Sequence, residues 1–146
     1  MTATWVLVAD SARARLFEAD GSGALNELGC YTNPEGRAGA RGLTTDRPPT
    51  VNESVGSARH AHQPHTSRRE KVASNFARTL REILNQGQHT RQFERLVLVA
   101  PSRFLGALHT TFGKHLRDCV VAEVRRDFTH LPPAKLSAQL PPHAFH

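Results

Sequence analysis

The feature that most constrains the fold is a set of three strand-like runs at the start of the chain, joined by turns of only a few residues. The runs cover Thr4–Ala9, Arg13–Ala19 and Leu25–Tyr31, and they are rich in β-branched, aromatic and alternating apolar residues. Asp10-Ser11 and the Gly-containing segment 20–23 supply the turns. Connections this short leave no room for crossover helices, so the sequence predicts an antiparallel meander.

Helices and strands alternate in the second half of the chain. Ser67 and Glu70 have the spacing of a capping box, and the helix that they predict ends at Gly87. Its buried stripe contains Val72, Phe76, Leu80, Ile83 and Leu84. A buried strand over Leu96–Ala100, a helix from Ser102 that Gly113 interrupts, and a last strand over Val120–Arg125 follow.

This order predicts the topology of one domain. A meander followed by two right-handed crossovers gives a mixed five-stranded sheet in the spatial order 3-2-1-4-5, with helices packed on it. We therefore expect a single α/β domain over residues 1–131 and a Pro-rich C-terminal tail over 132–146, extended or partly ordered apart from one helical turn near Lys135–Gln139. The third strand lies at an edge, where it could pair with a second copy to form a homodimer.

A stretch of 35 residues without an apolar pattern, 32–66, separates the meander from the first helix. Loops of this length in compact domains are usually functional or disordered. Residues 32–71 carry seven arginines and lysines against four acids, half of the net charge of +6. Guanidinium groups match phosphate oxygens, so we expect a nucleic-acid-binding surface. Its predicted members are Arg13, Arg15, Arg37, Arg41, Arg47, Arg59, Arg68 and Arg69. A merely solvated basic face is the competing interpretation.

Two other clusters could carry chemistry. Asp10 and Asp127 follow the first and last strands and could hold Mg²⁺, but turn and loop capping is the favoured interpretation because two-metal sites usually use three or four acids. His60, His62 and His65 lie within six residues, but the spacing is loose for a zinc site and solvated histidines are the simpler interpretation. We predict no metal, no cofactor and no complete catalytic motif. The two cysteines, Cys30 and Cys119, fit inert packing near strand ends in a reducing compartment.

The longest apolar runs contain five or six residues, far below the ~20 that a membrane-spanning helix needs. Charged residues interrupt the first run at once, so we expect no export signal, no membrane contact and a cytoplasmic location.

Several short motifs together resemble the bacterial host attachment protein family, whose members are described as required for attachment to host cells. The resemblance covers about residues 4–131. It is carried by Trp5 to Glu18, Asp46-Arg47-Pro48, Arg59-His60-Ala61, Phe76-Ala77, Leu96 to Pro101 with Phe104-Leu105-Gly106, and Asp127-Phe128-Thr129.

That family is similar to the middle domain of archaeal and eukaryotic peptide-chain release factors, which implies a ribonuclease H-like fold with the same strand order. In release factors the loop before the first helix carries a Gly-Gly-Gln tripeptide. The corresponding loop here, about 41–66, has none, and Gln86-Gly87-Gln88 lies after the helix instead. The resemblance therefore implies contact with tRNA or the ribosome rather than peptide release, with any attachment role indirect, and no catalytic residue carries over.

Two alternatives stay open. One is a hydrolase of nucleic acid or peptidyl-tRNA that uses Asp10, His60 or His62 as acid, base or metal ligand. The other is a protein interaction module whose loop orders on its partner.

Overall fold

A computed structural model describes residues 3–36 and 64–145. Its five strands are β1 (Thr4–Ala9), β2 (Arg13–Ala19), β3 (Leu25–Thr32), β4 (Arg95–Val99) and β5 (Val120–Val124). Residues 34–36 are helical, and the helices that follow are α1 (Pro64–His89), α2 (Ser102–Thr111), α3 (Lys114–Cys119) and α4 (Pro133–Gln139), with a 3₁₀ turn over Pro142–Phe145.

The strands form one mixed sheet in the order β3-β2-β1-β4-β5. β1 and β2 are antiparallel, with Thr4 opposite Ala19, and β2 and β3 are antiparallel as well. β4 is parallel to β1, and β5 is parallel to β4. The predicted mixed sheet and strand order are confirmed, because short turns enforce antiparallel neighbours and helical connections return the chain to parallel ones.

Alternate residues of the central strands supply two cores, one on each face of the sheet. All six residues of β1 are buried. Trp5 and Leu7 face α1, α2 and α3, while Val6 and Val8 face the C-terminal segment. A strand that is covered on both faces must be apolar throughout, which explains the uninterrupted run Trp5–Ala9.

α1 is longer than predicted at both ends. It begins at Pro64, so Ser67 and Glu70 lie inside the helix and the capping-box prediction is wrong. It also continues through Gly87 to His89. A Cβ built on Gly87 would lie 2.5 Å from Cη2 and 2.6 Å from Cζ3 of Trp5. Gly87 is therefore a packing position that lets the indole ring touch the helix backbone, and not the stop signal that we predicted.

The break predicted at Gly113 is observed. Phe112 ends α2 with an extended backbone, and Gly113 is the N-cap residue of α3. β3 is an edge strand, and a register shift opposite Leu16 and Phe17 leaves Leu28 46% exposed. An exposed edge of this kind is what the homodimer hypothesis requires, and the oligomeric state stays a prediction.

The helical turn predicted near Lys135–Gln139 is confirmed as part of α4, but the segment around it packs on the sheet instead of forming an extended tail. Leu136, Leu140 and Ala144 are buried in the core that contains Val6 and Val8. The Ser137 hydroxyl donates a hydrogen bond to the Gly23 carbonyl at 2.5 Å. α4 and the residues around it therefore form the layer that covers the second face of the sheet, which would otherwise expose apolar side chains to water.

Candidate nucleic-acid interface at the carboxyl edge of the sheet

The sheet topology brings four strand ends to one edge. β1, β3, β4 and β5 run in one direction and β2 runs in the other. Asp10 follows β1, Arg103 follows β4 by a few residues, Arg125 follows β5, and Arg13 begins β2 at the same place. We call this side the carboxyl edge. In open α/β sheets ligands typically bind outside the carboxyl ends of parallel strands.

Asp10 and Asp127 meet at this edge through a buried threonine. Asp10 Oδ1 accepts hydrogen bonds from the backbone N–H groups of Ala12 and Arg13, each at 2.8 Å. The Thr129 hydroxyl lies 2.8 Å from Asp127 Oδ1 and 3.5 Å from Asp10 Oδ2. Both carboxylates thus act as hydrogen-bond acceptors that hold a turn and a loop. Within residues 3–36 and 64–145, no group of three His, Cys, Asp or Glu side chains has metal-binding geometry.

Arg15 is committed to contacts inside the protein. Its Nη1 donates to the carbonyls of Thr129 at 3.2 Å and Leu131 at 2.6 Å, and its Nε forms an ion pair with Glu27 at 3.3 Å. The side chain is 15% exposed, and the guanidinium lies 4.9 Å from the Phe17 ring centroid. Arg15 therefore tethers the C-terminal segment to β2, which is a structural role. Its neighbour Arg13 contacts the imidazole ring of His130 at the surface.

The first turns of α1 extend past the carboxyl edge. Near its C-terminus α1 packs on Trp5 at the start of β1. Nearer the N-terminus of α1, the ring centroid of Phe76 lies 6.0 Å from that of Phe104 in the first turn of α2. α1 is therefore antiparallel to β1 and β4, and its N-terminal turns lie beyond their carboxyl ends. Arg68, Arg69 and Lys71 are exposed on these turns, within an exposed stretch that runs from 67 to 71.

Three further arginines share the carboxyl edge and were missed by the sequence analysis. Arg103 lies in the first turn of α2, and Arg125 and Arg126 follow β5; all three are exposed. A signal was present in the sequence, because all three lie at or just after the ends of strands that were predicted to be parallel to the first.

The predicted arginines fall into three groups. Arg68 and Arg69 lie on α1, on one side of the sheet. Arg13 and Arg15 alternate with Ala14 and Leu16, which face α1, so their side chains lie on the α4 side. Arg37, Arg41, Arg47 and Arg59 lie outside the described residues, as do His60 and His62, and His65 is the second residue of α1.

An open groove of about 420 Å³ lies between β3 and α1, at the carboxyl edge. One wall comes from the end of β3 and the residues after it, including Tyr31 and Glu35, and the other comes from Asn75, Phe76 and Thr79 of α1. We call it the β3–α1 groove.

The two cysteines differ in environment. Cys30 is exposed on β3, so the packing role expected from the sequence is wrong for this residue. Cys119 is partly buried at the end of α3, where the Gln88 amide lies 3.5 Å from its Sγ. Burial raises the pKa of the Cys119 thiol above its ordinary value, although the Gln88 contact opposes the shift. A protonated thiol in this position is a weak nucleophile, as expected for a packing residue.

The fold and its edge define an α/β sheet domain with an arginine-rich carboxyl edge. The family model described as "Protein required for attachment to host cells" matches residues 5–140, so the chain belongs to that family. The family resemblance seen in the sequence is thereby confirmed, and the match continues into α4. No curated protein matches the chain. None of the helices in the described part of the chain is both long and apolar enough to cross a membrane.

Proposed function

We propose that this protein is a cytoplasmic RNA-contacting domain that binds tRNA or the ribosome through its carboxyl edge. In this proposal it is related to the middle domain of release factors, lacks peptide-release chemistry, and affects attachment to host cells indirectly. The observation that carries the proposal is the group of exposed cations at one edge of the sheet. They are Arg68, Arg69, Lys71, Arg103, Arg125 and Arg126.

The chemistry of the edge suits phosphate. Guanidinium forks bind phosphate oxygens in a bidentate manner, and cations on a projecting helix can reach a backbone that the sheet itself cannot approach. The acids nearest the strand ends are already used, since Asp10 caps the turn before β2 and Asp127 accepts from Thr129. The carboxylates of Asp10 and Asp127 are therefore held in fixed positions inside a hydrogen-bonded turn and loop. From there their negative charge offsets part of the positive charge of the arginines.

The strand order and the insertion between β3 and α1 support the relation to release factors. Both features are expected from the resemblance in the sequence, and the order 3-2-1-4-5 is the one that the family would share. Without a Gly-Gly-Gln tripeptide in that insertion, the proposed role is binding and not ester hydrolysis.

The test is the salt dependence of RNA binding, measured by fluorescence anisotropy with labelled single-stranded RNA. Each phosphate contact contributes a slope of about −0.7 in a plot of log K against log salt concentration. The double variant R68A/R69A should therefore flatten the slope by about 1.4 if both residues contact phosphate.

The matched control removes the same number of exposed charges from the opposite edge. Lys114 and Arg117 lie on α3, which leads into the amino end of β5. K114A/R117A should leave both the affinity and the slope at wild-type values. Equal effects of the two double variants would show only a general charge effect and would contradict the proposal, as would wild-type binding that does not weaken between 50 and 200 mM salt.

A further inference from the structure

We propose that the β3–α1 groove binds one unstacked nucleobase of single-stranded RNA, with the Tyr31 ring as the stacking platform. This inference rests on the proposed RNA contact and adds the class of ligand and the position at which a base is held. Three features of the groove support it: a flat aromatic ring, a line of polar and basic side chains on α1, and a suitable size.

The first feature is the position of the Tyr31 ring. The hydroxyl, Cζ and Cε2 of Tyr31 lie 2.7, 3.0 and 3.3 Å from the place that a Cβ on Gly29 would take. The ring therefore folds back over Gly29 along β3, in space that any other residue at position 29 would fill. The hydroxyl tip and one edge of the ring thus lie against Gly29, which restricts the positions that the ring can take. Tyr31 lines the groove and is half-buried, so it is anchored in the core while part of it stays accessible.

The second feature is a stripe along α1. Residues at spacings of 3, 4 and 4 share one helix face, and this rule aligns Arg68, Lys71, Asn75 and Thr79. Asn75 and Thr79 line the groove. On the same helix face and toward the carboxyl edge, Lys71 lies about 6 Å and Arg68 about 10 Å from Asn75 along the helix axis. A base in the groove would thus have its phosphates beside two exposed cations.

Polar groups in the groove can meet the edge of a base. Arg78 Nη1 donates to Asn75 Oδ1 at 2.6 Å, which fixes the orientation of that amide. The carboxylate of Glu35 on the other wall can accept from an exocyclic amino group. The volume of about 420 Å³ lies within the roughly 300–1,000 Å³ that is usual for small-molecule sites.

The experiment compares two RNA hexamers, hexa-adenylate and an abasic ribose-phosphate chain of the same length, which carry equal charge. Stacking of a base on an aromatic side chain is lost when the ring is removed, so Y31A should weaken hexa-adenylate binding by about 5- to 150-fold. Y31L keeps apolar packing and guards against a folding defect, and it should weaken binding similarly. Y31F should bind like the wild type. The abasic hexamer should bind all four proteins equally within about twofold, because phosphate contacts do not use the ring.

A second readout uses the fact that the chain contains one tyrosine. Protein labelled with 3-fluorotyrosine has a single ¹⁹F resonance, which hexa-adenylate should shift and the abasic hexamer should not. G29A keeps the tyrosine but displaces its ring, so this variant should also lose discrimination between the two hexamers.

The outcomes separate this inference from the proposed function. If R68A/K71A weakens both hexamers while the Tyr31 variants bind both like the wild type, the groove inference is wrong and RNA contact at the edge stands. If wild-type protein binds neither hexamer, both are wrong. Selective loss of hexa-adenylate binding in Y31A and Y31L, with Y31F intact, supports the groove.

Discussion

The contact between Trp5 and Gly87 gives a prediction that reverses the usual effect of a glycine substitution. Alanine in place of an interior helix glycine normally stabilises a protein by about 0.5–1 kcal/mol. Gly106 in α2 meets that condition, since it is exposed and a Cβ there would have no heavy atom within 4 Å. G106A should therefore raise the free energy of unfolding by that amount.

G87A gains the same helix propensity but introduces a clash. The new Cβ would lie 2.5 Å from Trp5 Cη2, and the indole is only 5% exposed and is stacked on Phe93 with ring centroids 4.6 Å apart. It cannot move aside freely, so the overpacking cost of about 1–3 kcal/mol applies. G87A should end neutral to about 2.5 kcal/mol destabilised, and its difference from G106A isolates the clash.

Urea denaturation with circular dichroism measures both variants, and a double-mutant cycle with W5F identifies the cause. Phenylalanine lacks the outer indole atoms that the new Cβ would meet, so G87A should be less harmful in the W5F background, with a coupling energy of about 0.5–3 kcal/mol. Trp5 Nε1 has no hydrogen-bond partner among the described residues, so W5F removes no such bond. If G87A stabilises as much as G106A, or if the cycle shows no coupling, the packing explanation is refuted.

Three further predictions test other parts of the structure. L136A should lower the free energy of unfolding by about 2–5 kcal/mol in urea titrations, because Leu136 is fully buried under the sheet; an effect below about 0.5 kcal/mol would mean that the C-terminal segment is not part of the core. R15M keeps the aliphatic stem but leaves the carbonyls of Thr129 and Leu131 without their donor, which should cost about 1–3 kcal/mol in the same assay; an unchanged midpoint would contradict the tether. In a C30S background, alkylation of Cys119 should reach half its maximal rate at a higher pH in folded than in urea-unfolded protein, because burial raises the pKa of this thiol; equal profiles would contradict that assignment.

The sheet was predictable because its signals are local and independent. The buried run at β1 identifies a strand covered on both faces, and the short turns on either side of Arg13–Ala19 permit only antiparallel neighbours. The two helical connections then determine the parallel additions of β4 and β5. No side-chain detail was needed to derive the strand order.

The predictions that are wrong concern features that depend on contacts between residues distant in the sequence. Gly87 is a helix stop by local rules, and only the approach of Trp5, more than 80 residues earlier, explains why glycine lies inside the helix. The sequence predicts a Pro-rich tail with a single helical turn, whereas Pro133 begins α4, where proline is tolerated, and Leu136 packs under the sheet. The apolar residues that pair with such segments cannot be identified from periodicity alone.

The candidate site was predicted in part. The sequence concentrates basic residues up to position 71, and of these Arg68 and Arg69 are exposed on the first turns of α1. It does not distinguish Arg15, whose charge is used to hold the C-terminal segment. Arg125 and Arg126 were also missed, although the predicted parallel order of the last strand already places them at the carboxyl edge.

The most direct test of the central claim is to map where RNA touches the protein. Ultraviolet crosslinking in cells, followed by mass spectrometry of the RNA-linked peptides, reports contact positions without any substitution. We expect crosslinked peptides that contain residues 67–71, Arg103, or Arg125 and Arg126. Crosslinks confined to α3 at the opposite edge, or recovery of the protein with no RNA attached, would contradict it.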